Sequence, residues 1–143
     1  MNKNLSGLEI VDGKLIGNYA LSANEHVPVI LDVEASDPAI DDFSDLLSKA
    51  ASWLDALTEE TLDRLKTGIA VELTDAAYPA SDADIRAKAC ADLKAELKLE
   101  EIVFYLDDVT SMVFAARNEY PDMLIHCQVD QRVAIEDLAV HPA

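Results

Sequence analysis

The order of hydrophobic periods along the chain predicts an α+β fold, an antiparallel sheet packed on three helices. Apolar residues alternate with period two from Leu8 to Val33 and again from Glu101 to Val140. Between them, from Ile40 to Leu97, they recur at helical spacing. The connections inside each strand block are short, which forces neighbouring strands antiparallel, because a parallel return needs a dozen residues or more. Segregated runs of strands and helices place helices against one face of a sheet, in the order βββαααββββ. At 143 residues, half of them hydrophobic, residues 1–143 read as a single ordered domain with a real core.

The first two strands, Leu8–Val11 and Lys14–Leu21, flank Asp12-Gly13. An Asp-Gly pair between apolar runs signals a hairpin, since both turn residues need positive φ. His26–Val33 is the third strand, with Val27, Val29, Leu31 and Val33 on one face. Pro28 cannot donate to a ladder, so it argues for an edge or a strand start.

Ser36-Asp37-Pro38 changes the period. Asp37 fits an N-cap with Pro38 as the first helical residue. Ile40, Phe43, Leu47, Ala50, Leu54 and Leu57 follow at helical spacing, widened by Leu46 and Trp53. Asp41, Asp42 and Asp45 sit near the helix start, where the macrodipole favours acids. Thr58 caps the second helix, whose stripe is Leu62, Leu65, Ile69, Leu73 and Ala76 and whose end is Pro79. Gly68 inside it costs about 1 kcal/mol relative to alanine, and its missing side chain admits a close neighbour. Ser81 and Asp84 resemble a capping box before a third helix carrying Ile85, Ala89, Leu93 and Leu97.

Four strands close the chain: Glu101–Leu106, Ser111–Ala116, Met123–Val129 and Arg132–Val140. The turn-forming links Asp107-Asp108-Val109, Asn118–Pro121 and Asp130-Gln131 make them a meander. In the last strand Val133 and Ile135 share one parity, Leu138 and Val140 the other. That phase change predicts a bulge near Glu136-Asp137.

No residue pattern states an activity. Cys127 adjoins His126, but neighbouring strand residues point to opposite faces, and Cys90 sits among helical alanines. Both cysteines read as small core residues. Two cysteines give no disulfide framework, which suits a reducing cytoplasm. The start Met1-Asn2-Lys3-Asn4 has no apolar run behind it to make a secretory signal. No apolar run reaches the roughly 18 residues of a membrane span. His26, His126 and His141 lack metal-ligand spacing, and the acids from Asp37 to Asp45 lack an EF-hand glycine. All three helix starts carry acids, which repel phosphate. No metal and no cofactor are expected.

Charge is the feature above background. There are 28 acids against 11 bases, a net −17, which disfavours nucleic acid and anionic membranes and favours cationic partners. From Asp32 to Asp63 there are ten acids and one base, Lys49, so −9 falls in 32 residues and −8 in the other 111. Asp41, Asp42, Asp45, Asp55, Glu59 and Glu60 are the expected contacts for a basic protein.

The helix Ile85–Leu97 leads into Leu99-Glu100-Glu101-Ile102, an Asp107-Asp108 turn and Phe114. Pro121-Asp122-Met123-Leu124-Ile125-His126 and a closing Ala134-Ile135-Glu136-Asp137 follow. In these features the C-terminal half resembles two groups of small bacterial domains of unknown function, numbered 2004 and 2262. Those groups often show a histidine just before this strand's apolar run, where this chain has Met123. The resemblance brings no activity, since none is established for the groups. Small, acidic, cytoplasmic α+β proteins of this build also resemble immunity proteins of bacterial toxin systems, by character and not by motif. The expectation is therefore a non-enzymatic cytoplasmic binding protein, most concretely an immunity protein against a basic toxin. Two alternatives stay open: an enzyme or small-ligand domain with a helix–sheet pocket near His126 and Tyr105, and a homo-oligomer built on a sheet edge.

Overall fold

The computed structural model describes residues 4–78 and 82–143. The strands are β1 (Leu5–Val11), β2 (Lys14–Ser22), β3 (Glu25–Asp32), β4 (Lys98–Tyr105), β5 (Thr110–Ala115), β6 (Met123–Val129) and β7 (Ile135–Pro142). Between β3 and β4 come a 3-10 turn (Ile40–Phe43) and the helices α1 (Ser44–Ala56), α2 (Glu59–Ala77) and α3 (Ala83–Glu96). The order is the expected βββαααββββ. The seven strands form one sheet and lie side by side in chain order.

One pairing departs from the expectation of an antiparallel sheet. β3 and β4 are parallel, with Val29 opposite Ile102 and Leu31 opposite Phe104. The helical excursion is long enough to carry the chain back to the starting end of β3, so the two antiparallel blocks join through one crossover. Pro28 consequently lies in a strand with neighbours on both sides, not at an edge. It is tolerated because pairing to β4 runs only over Val29–Asp32, just beyond it.

The turn chemistry is as the residues dictate. Asp12 and Gly13 both take positive φ between the paired Val11 and Lys14, and Asp107 and Asp108 do the same between β4 and β5. The phase change in β7 is a bulge: Gln128 pairs with Asp137 and Val129 with Ile135, leaving Glu136 extra. β7 starts at Ile135, later than Arg132. The Asp130 carboxylate holds a turn there, accepting the N–H groups of Arg132 at 2.8 Å and Ala134 at 3.0 Å. A bulge at Glu100 lets both Leu99 and Ile102 face the core, and Leu106, of the same parity as Ile102 and Phe104, is exposed past the strand's end.

Helix starts also shift. The helical turn begins at Ile40, with Ala39 as its cap residue, so Asp37 is not the N-cap. The Asp42 carboxylate, three residues on, reaches back to accept the Ala39 N–H at 2.8 Å. Thr58 caps α2 as expected, in a reciprocal pair with Thr61. Pro79 and Ser81, given as a helix end and a cap, lie outside the described residues. α3 starts after Asp82, whose carboxylate accepts the Ile85 N–H at 2.9 Å.

The core lies between the helices and one face of the sheet. Val27, Val29, Leu31, Ile102, Phe104, Met112, Phe114, Ile125, Cys127 and Val129 meet Phe43, Ala50, Leu54, Leu65 and Ile69. Each fully buried large side chain contributes roughly 1.5–3 kcal/mol. α1 lies over β4 and α2 over β7, whereas α3 packs on α2. Being one layer further out, α3 buries Leu93 but leaves Ile85 exposed, so its expected stripe is only half used. Ala76 and Ile40 are exposed too. Among the described residues, no helix covers the opposite face of the sheet. Val103 is buried there between Ile30 and Ser111, and Val113 between Glu101 and His126.

Candidate functional site

α1 determines which acids reach solvent together. Its inner side is Leu46, Ala50, Trp53 and Leu54, all buried. The opposite side is Asp41, Asp45, Ser48, Ser52 and Asp55, spaced four, three, four and three residues apart, and every one is exposed. That spacing aligns them in one outward stripe. The chain turns at Leu57, and Glu59 and Glu60 continue the exposed acid around the start of α2. Asp42 is the member that stands apart, because its carboxylate is engaged with the Ala39 N–H.

Two bases near this stripe are engaged with other acids. Lys49, the lone base in the acidic run, turns aside to Asp108 of the β4–β5 turn, Nζ to Oδ1 3.1 Å. Lys94 draws Asp63 away at 3.1 Å. Among the described residues, no lysine or arginine forms an ion pair with Asp41, Asp45, Glu59 or Glu60. Along the stripe runs a shallow groove of about 620 Å³. Ile40 and Leu47 supply its apolar surface, Ser44, Ser48 and Ser52 its hydroxyls, and Asp41 and Asp55 its acids.

A second concavity lies on the other flank of α1. This cleft, of about 390 Å³, is walled by Lys49, Ser52, Trp53 and Ala56 on the helix and by Phe104, Tyr105, Asp108, Val109, Thr110 and Gln131 at the sheet's end. Trp53 is fixed at its base: the indole N–H donates to the Asp130 carbonyl at 3.0 Å, and the ring meets Phe104 edge-on at 5.5 Å. The Lys49–Asp108 pair joins the two walls, with both side chains more than half exposed. Burial first, then the charges of Asp32, Glu101 and Glu34, raise the Tyr105 hydroxyl above its ordinary pKa. Ser52 borders both concavities, so cleft and groove adjoin.

The structure separates His126 and Tyr105, the two residues named for a helix–sheet pocket. Tyr105 reaches the cleft. His126 sits on the helix-free face, its ring 5.2 Å from that of His141. His126 and Tyr105 do not converge. Cys127 is fully buried, and burial, with Glu72 and Asp137, pushes its thiol up to about 12. Such a thiol is inert as a nucleophile at neutral pH. Among the described residues no group of three or more His, Cys, Asp or Glu side chains is placed to hold a metal ion. No helix among them is long and apolar enough to cross a membrane.

Sequence reasoning missed the cleft. Trp53 was legible only as the flank of a helical stripe, and Asp108 only as a turn residue. The clue was a lone tryptophan on the margin of that stripe, where a large ring is left at the border of the core. Comparisons with protein-family models, curated proteins and solved structures give no match, so the site stands on its own chemistry.

Proposed function

We propose that the chain is a non-enzymatic binding protein that docks a basic protein on the outer side of α1. Its most concrete form is a cytoplasmic immunity protein covering the cationic surface of a bacterial toxin. The observation that carries this reading is the exposed line Asp41, Asp45 and Asp55, extended by Glu59 and Glu60, with Lys49 committed elsewhere. Concentrating like charge in one place costs stability through self-repulsion, and it attracts and orients a cationic partner. Ile40, 56 % exposed at the Asp41 end of this line, supplies apolar area that charge alone lacks.

The test uses the toxin encoded beside this gene. Co-expression must restore growth of cells making the toxin. The triple variant Asp41→Lys, Asp45→Lys, Glu60→Lys must lose that protection while keeping its circular dichroism spectrum. In stopped flow at about 20 mM salt, where screening is weak, the variant associates at least tenfold more slowly than the parent chain. A neighbourhood with no toxin, or full protection by the variant, overturns the reading.

A further inference from the structure

We propose that the cleft between α1 and the β4–β5 turn seats an arginine side chain of the basic partner. This rests on the reading that the partner is basic, and it adds an anchor that the acidic stripe does not contain. The walls are suited to arginine in two ways. Trp53, Phe104 and Tyr105 line the cleft with aromatic surface, which accepts both an aliphatic stem and a guanidinium plane. Asp108, Ser52, Thr110 and Gln131 bring acceptor oxygens to the same space, and a guanidinium has five donors to satisfy.

A cation already stands at this place. Lys49 Nζ lies 3.1 Å from Asp108 Oδ1 across the two walls. Both groups are exposed, so the pair is weak and exchangeable. An arginine arriving from outside offers the Asp108 carboxylate a two-pronged contact that an ammonium cannot form. The cleft volume of about 390 Å³ lies at the lower end of ligand sites, ample for one long side chain. An anionic ligand is the wrong charge for a chain of net −17 whose cleft lysine is already paired. Because Ser52 borders both concavities, a partner lying on the α1 stripe covers the mouth of the cleft. Arginine anchors in such pockets recur as the residues whose loss weakens interfaces most.

Trp53 is the chain's only tryptophan, so its indole N–H resonance reports directly from the cleft wall. The experiment titrates the intact protein at low salt with N-acetyl-arginine amide and, separately, with the uncharged N-acetyl-citrulline amide. The arginine compound is expected to shift the indole resonance saturably at millimolar concentration, and the citrulline compound to leave it in place. Asp108→Asn keeps a residue type that accepts the positive φ of this turn, and it should weaken the arginine response at least fivefold. Lys49→Met removes the competing ammonium and should strengthen it two- to fivefold, an effect a structural role would not produce. An indole that does not move, equal responses to arginine and citrulline, an unchanged Asp108→Asn, or a response to N-acetyl-glutamate amide instead, each overturns the proposal.

A parallel titration with hexaarginine separates this idea from the docking reading. Binding that the triple lysine reversal abolishes while the indole stays silent removes the cleft and keeps the stripe. An indole response with hexaarginine affinity unaffected by the reversal keeps the cleft and removes the stripe.

Discussion

Gly17 and Gly68 make opposite use of a missing side chain. A Cβ at Gly17 would lie 2.7 Å from Leu8 Cδ2 and 3.0 Å from the Ser6 carbonyl oxygen, because the β1 bulge folds Gly7 and Leu8 over it. The carbonyl cannot step aside, so Gly17→Ala should cost about 1–3 kcal/mol in urea unfolding. At Gly68 the nearest atom is the Cδ1 tip of Ile135 at 3.0 Å, on an edge strand where it can shift. Gly68→Ala should therefore be neutral or stabilising, by up to about 1 kcal/mol of helix propensity. Cys127 makes a pH prediction. Its folded pKa is raised to about 12, above the roughly 8.5 of an unfolded thiol. The protonated thiol contributes its full stabilisation below the unfolded value, and this is lost as pH climbs toward the folded one. Between about pH 9 and 11, the urea midpoint of the parent should fall more steeply than that of Cys127→Ala.

At the scale of elements, α2 depends on a local device and α1 on distant ones. Thr58 Oγ1 accepts the Thr61 N–H at 3.2 Å, and the Thr58 N–H donates back to Thr61 Oγ1 at 2.8 Å. The Thr61 hydroxyl also donates to the Ala56 carbonyl at 2.9 Å, tying α2 to the end of α1. Thr61→Val keeps the shape and the backbone bond to Thr58 Oγ1 but removes the bonds made by the Thr61 hydroxyl. It should lower stability by about 1 kcal/mol without changing the folded spectrum, as measured by thermal melting. α1 is held from β2 by the Tyr19 hydroxyl on the Leu54 carbonyl at 3.2 Å, and from the β6–β7 turn by Trp53 on Asp130. Its outer stripe is thereby presented on a fixed element. Both edge strands are bulged, and β7 carries Glu136 and Asp137, devices that oppose strand addition at an edge.

The chain carries a net −17, and each of the four ion pairs found among the described residues has at least one side chain that is more than half exposed. Such pairs return little energy, so repulsion dominates the long-range electrostatics. Added sodium chloride should raise the melting temperature between about 20 and 300 mM, since the Debye length shrinks from about 20 Å to below 8 Å over that range. A flat or falling curve would show that the charges are compensated. The same field is what the proposed cationic partner would meet first, and any steering would weaken over the same salt range.

Local chemistry determined most of the scaffold. Asp12-Gly13 turned where positive φ is tolerated, the alternation of Met123–Val129 made β6, and the parity change around Glu136 made a bulge, because each signal acts within a few residues. Where two local signals competed, the outcome was less legible: Asp37 before Pro38 offered one helix start, and Asp42 reaching back to Ala39 supplied the actual one. The exposed acids of α1 followed from helical spacing alone. What only the tertiary structure decided was who meets whom across the crossover. Lys49 leaves its neighbouring acids for Asp108, and Trp53 bonds Asp130, 77 residues away. A parallel β3–β4 pair, an outer α3 and the cleft all depend on where the returning chain enters the sheet. That position is set by packing of the whole core, to which no single stretch holds the key.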